Sequence, residues 1–430
     1  MAVALTANAY ERALASIEAV SWRGISLGLE RTEALLAALG SPHLGLRGAL
    51  VAGTNGKGSV CAVVDSVARA AGLHTVLLTK PHLTSYRERI VIDGQPIDEE
   101  QFVTLVDDVA HAAGTLPESL QPTGFEMLTA AGILCAARES VDLLVCEVGM
   151  GGRLDSTNVL DLGVAVVTNV ALDHREHLGD TIPAIAFEKA AIIKHGNDAV
   201  TAAQEPALGV IRARCAEVSA TLLNVSQRGA VTGIDHGLAG VEVTASFAGK
   251  GLQVRARLVG RFQMTNLATG IAVCDALRER GARIDAAAIV EGCAAAEWRG
   301  RMQWVPGRPP VLVDAAHNPA GMAAMVDAVA GLGSWPSVAA VFAAMRDKDV
   351  AGMAAELQRL PRVIPIVTAP KVERACAPQE LSTYFDPPAR IASDVASAVD
   401  MARDVAGPDG LVLVCGSLYL VGEALAVLIA

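Results

Sequence analysis

The chain has 430 residues, 52% of them hydrophobic, 19% charged and 3% aromatic, with a formal net charge of −11 at pH 7. That length allows two or three domains with aliphatic cores, and the apolar share excludes a disordered chain. The acidic balance excludes nucleic-acid backbone binding as the main task, although a local positive pocket still suits a small anion.

In chain order, the start Met1-Ala2-Val3-Ala4-Leu5-Thr6 lacks the basic lead and apolar core of a signal peptide. Gly48 to Ala52 reads as a buried strand, and Val60, Val63, Val64, Val67, Ala68 and Ala71 then fall at helical spacing up to Gly72. Further strands are expected at Leu73 to Thr79, Val141 to Val148 and Leu162 to Val170, with a helix at Ile182 to Lys194. From about 221 to 260 the pattern becomes polar-interrupted and Val-bearing, which predicts antiparallel strands inserted at the edge of the first domain. A helix over Thr265 to Arg280 follows. Trp298 to Pro310, with three prolines, two glycines and three arginines, reads as a linker.

A second α/β set follows: strands at Val311 to Val313, Val338 to Ala343, Val363 to Thr368 and Leu411 to Cys415, and a helix opened by Pro319. Strands alternating with helices predict mainly parallel sheets. The fold class is therefore α/β, with domains at 1–297 and 298–430. The apolar run from Leu411 to Ala430 is broken as a membrane span by Gly416, Ser417, Gly422 and Glu423, and reads as a strand and a helix. The eight cysteines show no CxxC or metal-type spacing and read as reduced, buried thiols. A cytoplasmic protein is expected.

Gly53-Thr54-Asn55-Gly56-Lys57-Gly58-Ser59 lies between a strand and a helix. Its glycines let backbone N–H groups turn onto phosphate oxygens, the helix N-terminus adds its positive end, Lys57 supplies a cation to the β- and γ-phosphates, and the Ser59 hydroxyl reaches Mg²⁺. The bland alternative is an ordinary glycine-rich turn. Glu147 ends a buried strand, where open α/β sheets bind ligands, so it either serves a nucleotide-bound Mg²⁺ or is a turn carboxylate. Asp173-His174 follows the next strand in the same way; a lone histidine there is more often structural, and Mg²⁺ prefers oxygen. Lys189, within Ile185-Ala186-Phe187-Glu188-Lys189-Ala190-Ala191-Ile192-Ile193-Lys194, must snorkel or be chemically altered. The residues alone favour snorkelling.

The loop differs from GxxxxGK[ST], because Gly58 separates Lys57 from Ser59, and this form resembles that of the Mur ligase superfamily. With PHLTSYRERI, EVGMGGRLDSTN, LDHREHLGDT, IAFEKAAIIK, GRFQMTNLA, RGRMQ, VDAAHNPAG and GSLYLVGE in order from about Gly28 onward, the chain resembles dihydrofolate synthase/folylpolyglutamate synthase. The resemblance implies a large P-loop domain and a smaller Rossmann-like C-terminal domain with the active site between them. It implies ATP on Gly53 to Ser59, with Asn266, Arg301 and Asp314 as further contacts, and one or two magnesium ions served by Ser59, Glu147 and His174. Lys189 matches a lysine carried as a carbamate, which reverses the snorkelling reading. Thr123, Gly124, Phe125, Glu126, Leu154, Asp155 and Ser156 match a pteroate pocket, and His317 and Ser417 are weaker candidates for the incoming glutamate.

The implied reaction passes ATP's γ-phosphoryl to a carboxylate and then joins glutamate to it in folate biosynthesis. The expected partners are small molecules, with no nucleic acid and no membrane, and the expected state is a monomer. A wall-building Mur ligase is the rival enzyme, disfavoured because 52 residues precede Gly53 and leave no room for its extra domain. A non-catalytic nucleotide-binding homologue is the rival of another class. It is kept open by Lys80 in Thr79-Lys80-Pro81-His82-Leu83, where relatives typically have a serine that resembles a ligand for a second magnesium ion. A protonated lysine offers no lone pair, so the Lys80 ammonium is expected to replace that ion, pairing with Glu147 and the acyl-phosphate oxygens.

Overall fold

A computed structural model describes residues 2–21, 27–225 and 231–429. The first sheet contains β1 (Gly48–Ala52), β2 (Thr75–Leu78), β3 (Ile90–Ile92), β4 (Gln95–Pro96), β5 (Leu143–Glu147), β6 (Gly163–Val167), β7 (Asp198–Thr201) and β8 (Thr221–Asn224). Their order is β4-β3-β2-β5-β1-β6-β7-β8. Every pairing from β2 across to β8 is parallel, and β3 and β4 extend the sheet antiparallel.

β1 and β5 are buried at every residue, as strands covered on both faces must be. Alternation splits their side chains between two cores. Leu50, Leu144 and Cys146 pack with Phe102 and Ile133 of the helices Glu99–Gly114 and Gly124–Arg138. Ala49, Val51 and Val145 pack with Val60, Val64, Leu267 and Ile271 of the helices Lys57–Ala70 and Gln263–Glu279. β1 lies mid-sheet between β5 and β6, so a crevice opens beyond its carboxyl end. The phosphate loop, Glu147 and Asp173 all follow strands at that end.

The polar-interrupted region departs from expectation. β8 is a parallel edge strand of the first sheet, and the antiparallel strands β9 (Thr232–Asp235), β10 (Val241–Phe247) and β11 (Lys250–Ala256) form a separate three-stranded sheet. The reason is an apolar face, Val241, Val243, Val254 and Ala256, that packs against the helix Gln263–Glu279.

The last sheet holds β12 (Gln303–Val305), β13 (Val311–Asp314), β14 (Val338–Phe342), β15 (Val363–Val367), β16 (Arg390–Ile391) and β17 (Leu411–Cys415), ordered β12-β13-β17-β14-β15-β16. β12 lies inside the proline-rich stretch read as linker. It pairs antiparallel with β13, and a proline-flanked strand is tolerated because it sits at the edge. Helices Pro319–Gly331 and Val350–Leu357 cover one face, and Val395–Ala406 and Leu418–Ile429 the other. Among the described residues no helix is long and apolar enough to cross a membrane.

Candidate active site

Local chemistry shapes the loop after β1. Gly53 has φ 148°, and a Cβ there would stand 1.8 Å from Thr168 Oγ1. Asn55 N donates to Asn169 Oδ1 at 2.9 Å, and Thr168 Oγ1 donates to Asn55 O at 2.7 Å. The loop is thus pinned by residues after β6 before any ligand arrives. The helix starts at Lys57, and at Gly58 a Cβ would lie 2.6 Å from the Trp298 ring, so only glycine lets that indole close over the first turn.

A cavity of about 580 Å³ opens from this loop toward the second domain. It is lined by Gly53, Thr54, Asn55, Gly56, Lys57, Gly58 and Ser59, by Lys80, Glu147, His174 and Lys189, and by Asn266, Arg301, Asp314, His317 and Ser417. Sixteen of the residues singled out in the sequence therefore meet at one place. The other seven, Thr123 to Glu126 and Leu154 to Ser156, stand behind its wall.

Lys57 Nζ folds back onto the carbonyls of Gly53 and Thr54 at 3.2 and 3.3 Å. Ser59 Oγ accepts from Gln263 Nε2 at 3.4 Å, and Gln263 Oε1 accepts from Asn266 Nδ2 at 2.8 Å. Glu147 is 5% exposed, and burial raises its carboxyl above the usual range against the pull of Lys57. A buried carboxylate and a hydroxyl on facing elements are oxygen donors of the kind a hard divalent cation takes. The third metal candidate, His174, has left-handed φ 50°. Its Nε2 lies 3.1 Å from Lys348 Nζ, and burial together with Lys348 lowers the imidazole to about 4. Its lone pair goes to Lys348. Among the described residues no three His, Cys, Asp or Glu side chains form a ready-made metal cluster.

Lys189 does not snorkel. It is 4% exposed, its Nζ donates to Gly53 O at 3.1 Å, and burial and the nearby Lys57 lower its amine to about 7. The apolar helix Ile182–Ala190 docks too closely for the stem to escape: a Cβ on Gly152 would meet Lys189 Cα at 3.1 Å.

The Lys80 ammonium is not on Glu147. Its backbone N–H donates to Glu147 Oε2 at 3.3 Å, while Nζ donates to Thr129 Oγ1 at 3.0 Å and lies 4.3 Å from the Phe125 ring centroid. The side chain thus runs from the loop after β2 to the helix Gly124–Arg138, while only the backbone meets Glu147.

Behind that wall, Thr123 caps the helix and Glu126 closes a capping box on Thr123 N at 2.7 Å. Glu126 also takes Arg31 through Nε at 3.1 Å and Nη2 at 2.8 Å. Gly124 is buried and Phe125 half-buried. Asp155 accepts from Met150 N, Thr157 N and Thr157 Oγ1 at 2.9, 3.0 and 2.6 Å. Ser156 Oγ donates to Thr129 Oγ1 at 3.0 Å, and Leu154 is half-buried beside them. In this conformation the polar groups of Thr123, Glu126 and Asp155 hold loops and helix ends.

From the second domain, Asp314 accepts from Met302 N at 2.9 Å and Ala316 N at 2.8 Å, and burial raises its carboxyl. His317 Nδ1 meets Ala315 O at 2.9 Å, and burial with Lys348 and Arg301 lowers its imidazole to about 3. Ser417 is 1% exposed at the head of the helix Leu418–Ile429.

Sequence reasoning missed the group that joins the two halves. Lys348 Nζ donates to Asp173 Oδ1 at 2.7 Å, with its side chain 7% exposed. Asn318 Nδ2 donates to Asp173 Oδ2 at 2.9 Å and to Asn55 Oδ1 at 3.1 Å, and Asn55 Nδ2 donates to Asn318 Oδ1 at 3.2 Å. Burial opposes ionisation of Asp173, yet Lys348, His174 and His317 hold its carboxyl below the usual range. The available signal was the charged run Arg346-Asp347-Lys348-Asp349 just after β14, at the same carboxyl end.

Residues 51–274 match the Mur ligase middle domain, and residues 300–418 match the Mur ligase, glutamate ligase domain. The dihydrofolate synthase/folylpolyglutamate synthase of Bacillus subtilis strain 168 is 32% identical over 423 residues, covering 97% of this chain and 98% of that protein. A "probable bifunctional folylpolyglutamate synthase/dihydropteroate synthase" of Haloferax volcanii is 38% identical over 412 residues. The match covers 92% of this chain and 48% of the relative, so the chain spans about half that protein's length. The structure of Mycobacterium tuberculosis folylpolyglutamate synthase complexed with ADP and AMPPCP superposes with a TM-score of 0.90 at 31% identity, covering 97% of this chain and 99% of that one.

Proposed function

Because the chain belongs to the dihydrofolate synthase/folylpolyglutamate synthase family of Mur ligases, we propose that it is an ATP-dependent ligase. It adds L-glutamate to dihydropteroate, to folyl(poly)glutamate or to both, through an acyl phosphate. The observation that carries this reading is the meeting, in one cavity, of the Gly53 to Ser59 loop, buried Glu147 and low-pKa Lys189 with Arg301, His317 and Ser417 of the second domain.

The loop amides hold the β- and γ-phosphates, and Lys57 leaves its long carbonyl bonds for the phosphate oxygens. A substrate carboxylate oxygen attacks the γ-phosphorus, the β–γ bridging bond breaks, and ADP leaves. The neutral amine of glutamate then attacks the acyl carbon, an amide bond forms, the amine gives up a proton, and inorganic phosphate departs. Ser59 and Glu147 would hold a magnesium ion, which when bound offsets charge on the phosphate oxygens. Lys189 fits carbamylation, since CO₂ reacts only with a neutral amine and a pKa of about 7 leaves one available at neutral pH. A carbamate there would face Lys57. Arg301, Asn266 and Asp314 serve the nucleotide, Phe125 and its neighbours the pteroyl group, and Ser417 and His317 the incoming glutamate. The ligase acts as a cytoplasmic monomer on small molecules.

The test is to supply purified protein with ATP, magnesium, glutamate and either dihydropteroate or tetrahydrofolate, and to follow phosphate release and product mass. Phosphate release that depends on the added carboxylate, with a product one glutamyl residue heavier, is expected. Nucleotide binding with no carboxylate-dependent turnover would instead mark a non-catalytic homologue.

A further inference from the structure

Among the described residues, no carboxylate hydrogen-bonds the Lys80 ammonium. Lys80 lines the cavity, and its two ends meet different neighbours: the backbone N–H is on Glu147, and the ammonium is on Thr129 and the face of Phe125, at the cavity's wall. Neither group that meets the ammonium is an anion. Thr129 Oγ1 is already saturated, because it donates to Phe125 O at 2.9 Å and accepts from Ser156 Oγ at 3.0 Å as well as from Lys80. Burial lowers the Lys80 amine below the usual lysine range, and Asp155, the carboxylate that most opposes this, already accepts hydrogen bonds from Met150 and Thr157. Glu147 meets the backbone of Lys80 rather than its side chain.

An ammonium has three N–H bonds to give. Holding one in a mostly desolvated wall with a single neutral acceptor is unfavourable unless an anion arrives to complete it. The anion that has to come here is the carboxylate to be activated, which must approach the equally negative γ-phosphate held at Gly53 to Ser59. A cation on the wall of the cavity that this loop also lines would lower the repulsion and orient the attacking oxygen.

We propose that the Lys80 ammonium binds the acceptor carboxylate of the acyl substrate, holding it between the phosphate loop and the Phe125 face. This rests on the ligase reading above and adds to it the group that selects a carboxylate. Lys80 thereby acts on the organic substrate, and the nucleotide's magnesium is left to Ser59 and Glu147.

The experiment compares wild type with Lys80→Met, which keeps the stem over Phe125 and removes the charge, and with Lys80→Arg, which keeps the charge. The probes are whichever of dihydropteroate or tetrahydrofolate the wild type turns over, and the same compound with its acceptor carboxylate replaced by a carboxamide. Binding of each is measured calorimetrically with ADP present. Wild type is expected to prefer the acid by about 10- to 100-fold, the range of one charge-assisted hydrogen bond. Lys80→Met is expected to lose that preference while binding the carboxamide and ADP as wild type does, and Lys80→Arg to keep part of it. A Lys80→Met protein that keeps the full preference overturns the assignment, as does one that loses acid and carboxamide equally. If the wild type turns over neither acid, the ligase reading itself has failed, and the turnover assay shows this before any variant is made.

Discussion

Replacing Lys189 with Met is expected to stabilise the protein while abolishing turnover. The amine is 4% exposed, bonded to Gly53 O at 3.1 Å, and lowered from 10.5 to about 7 by burial and Lys57. Because the folded pKa lies below the unfolded one, the unfolded chain binds the proton more tightly. The penalty on the native state is complete below pH 7 and is relieved as pH rises from 7 to 10.5. At 1.36 kcal/mol per unit, it amounts to about 4–5 kcal/mol below pH 7. Methionine fills a similar volume without the charge and forfeits one hydrogen bond of about 1 kcal/mol, leaving a net gain of about 3 kcal/mol. For a protein of 430 residues that raises Tm by about 3 °C. The assay is thermal unfolding of both proteins in CO₂-free buffer at pH 7 and pH 10, then with bicarbonate at pH 7. The gap should shrink at pH 10. Bicarbonate should stabilise only the wild type, because a carbamate turns the stranded cation into an anion facing Lys57. A Met variant that melts below wild type at pH 7 without CO₂, or a gap unchanged at pH 10, would refute the reasoning.

Lys57→Ala is expected to lower kcat/KM for ATP by about 100- to 1000-fold with Tm nearly unchanged, since the resting side chain makes only two long carbonyl bonds; an active variant would remove the loop cation from the chemistry. Lys348→Met takes away a main cause of the low imidazole values, so His174 and His317 should titrate well above about 4 and about 3. Histidine-resolved NMR titration reads this directly, and unchanged curves would show that burial alone sets both values. Glu126→Gln breaks the paired bonds to Arg31 and weakens the Thr123 cap, at a cost of about 2–4 kcal/mol. Urea unfolding measures it, and a loss below about 0.5 kcal/mol would contradict the role assigned to the pair.

What the sequence made legible was whatever is local. The buried strands β1, β5 and β6 read as apolar runs because helices cover both faces, and the loop at Gly53 to Ser59 reads as a phosphate cradle because glycine spacing and a lysine are contiguous. The stretch from Trp298 misled because proline and glycine mark an edge strand as readily as a linker, and only pairing with β13 distinguishes them. The residues around Lys189, taken without the family resemblance, misled for a related reason. Snorkelling depends on what covers the helix, and the close approach of Gly152 is invisible in a window of ten residues. For Lys80 the position was legible and the direction was not. A residue at a strand end sends its backbone and side chain to different neighbours, and sequence gives no account of which receives the charge.

The largest gap was the junction, where Asp173 and Lys348 stand 175 residues apart and each carries weak local signal. Their joining has a consequence for closure. Asn318 caps the helix Pro319–Gly331 through Gly321 N at 2.8 Å and at the same time bonds to Asp173 and to Asn55 of the phosphate loop. Phosphate arriving at that loop adds negative charge beside Lys348, which already answers Asp173. The second domain therefore docks to the first through Asn318 and Lys348, beside the loop where the proposed nucleotide phosphates would bind. Binding and docking draw on one set of charges, so each must alter the other by an equal free energy.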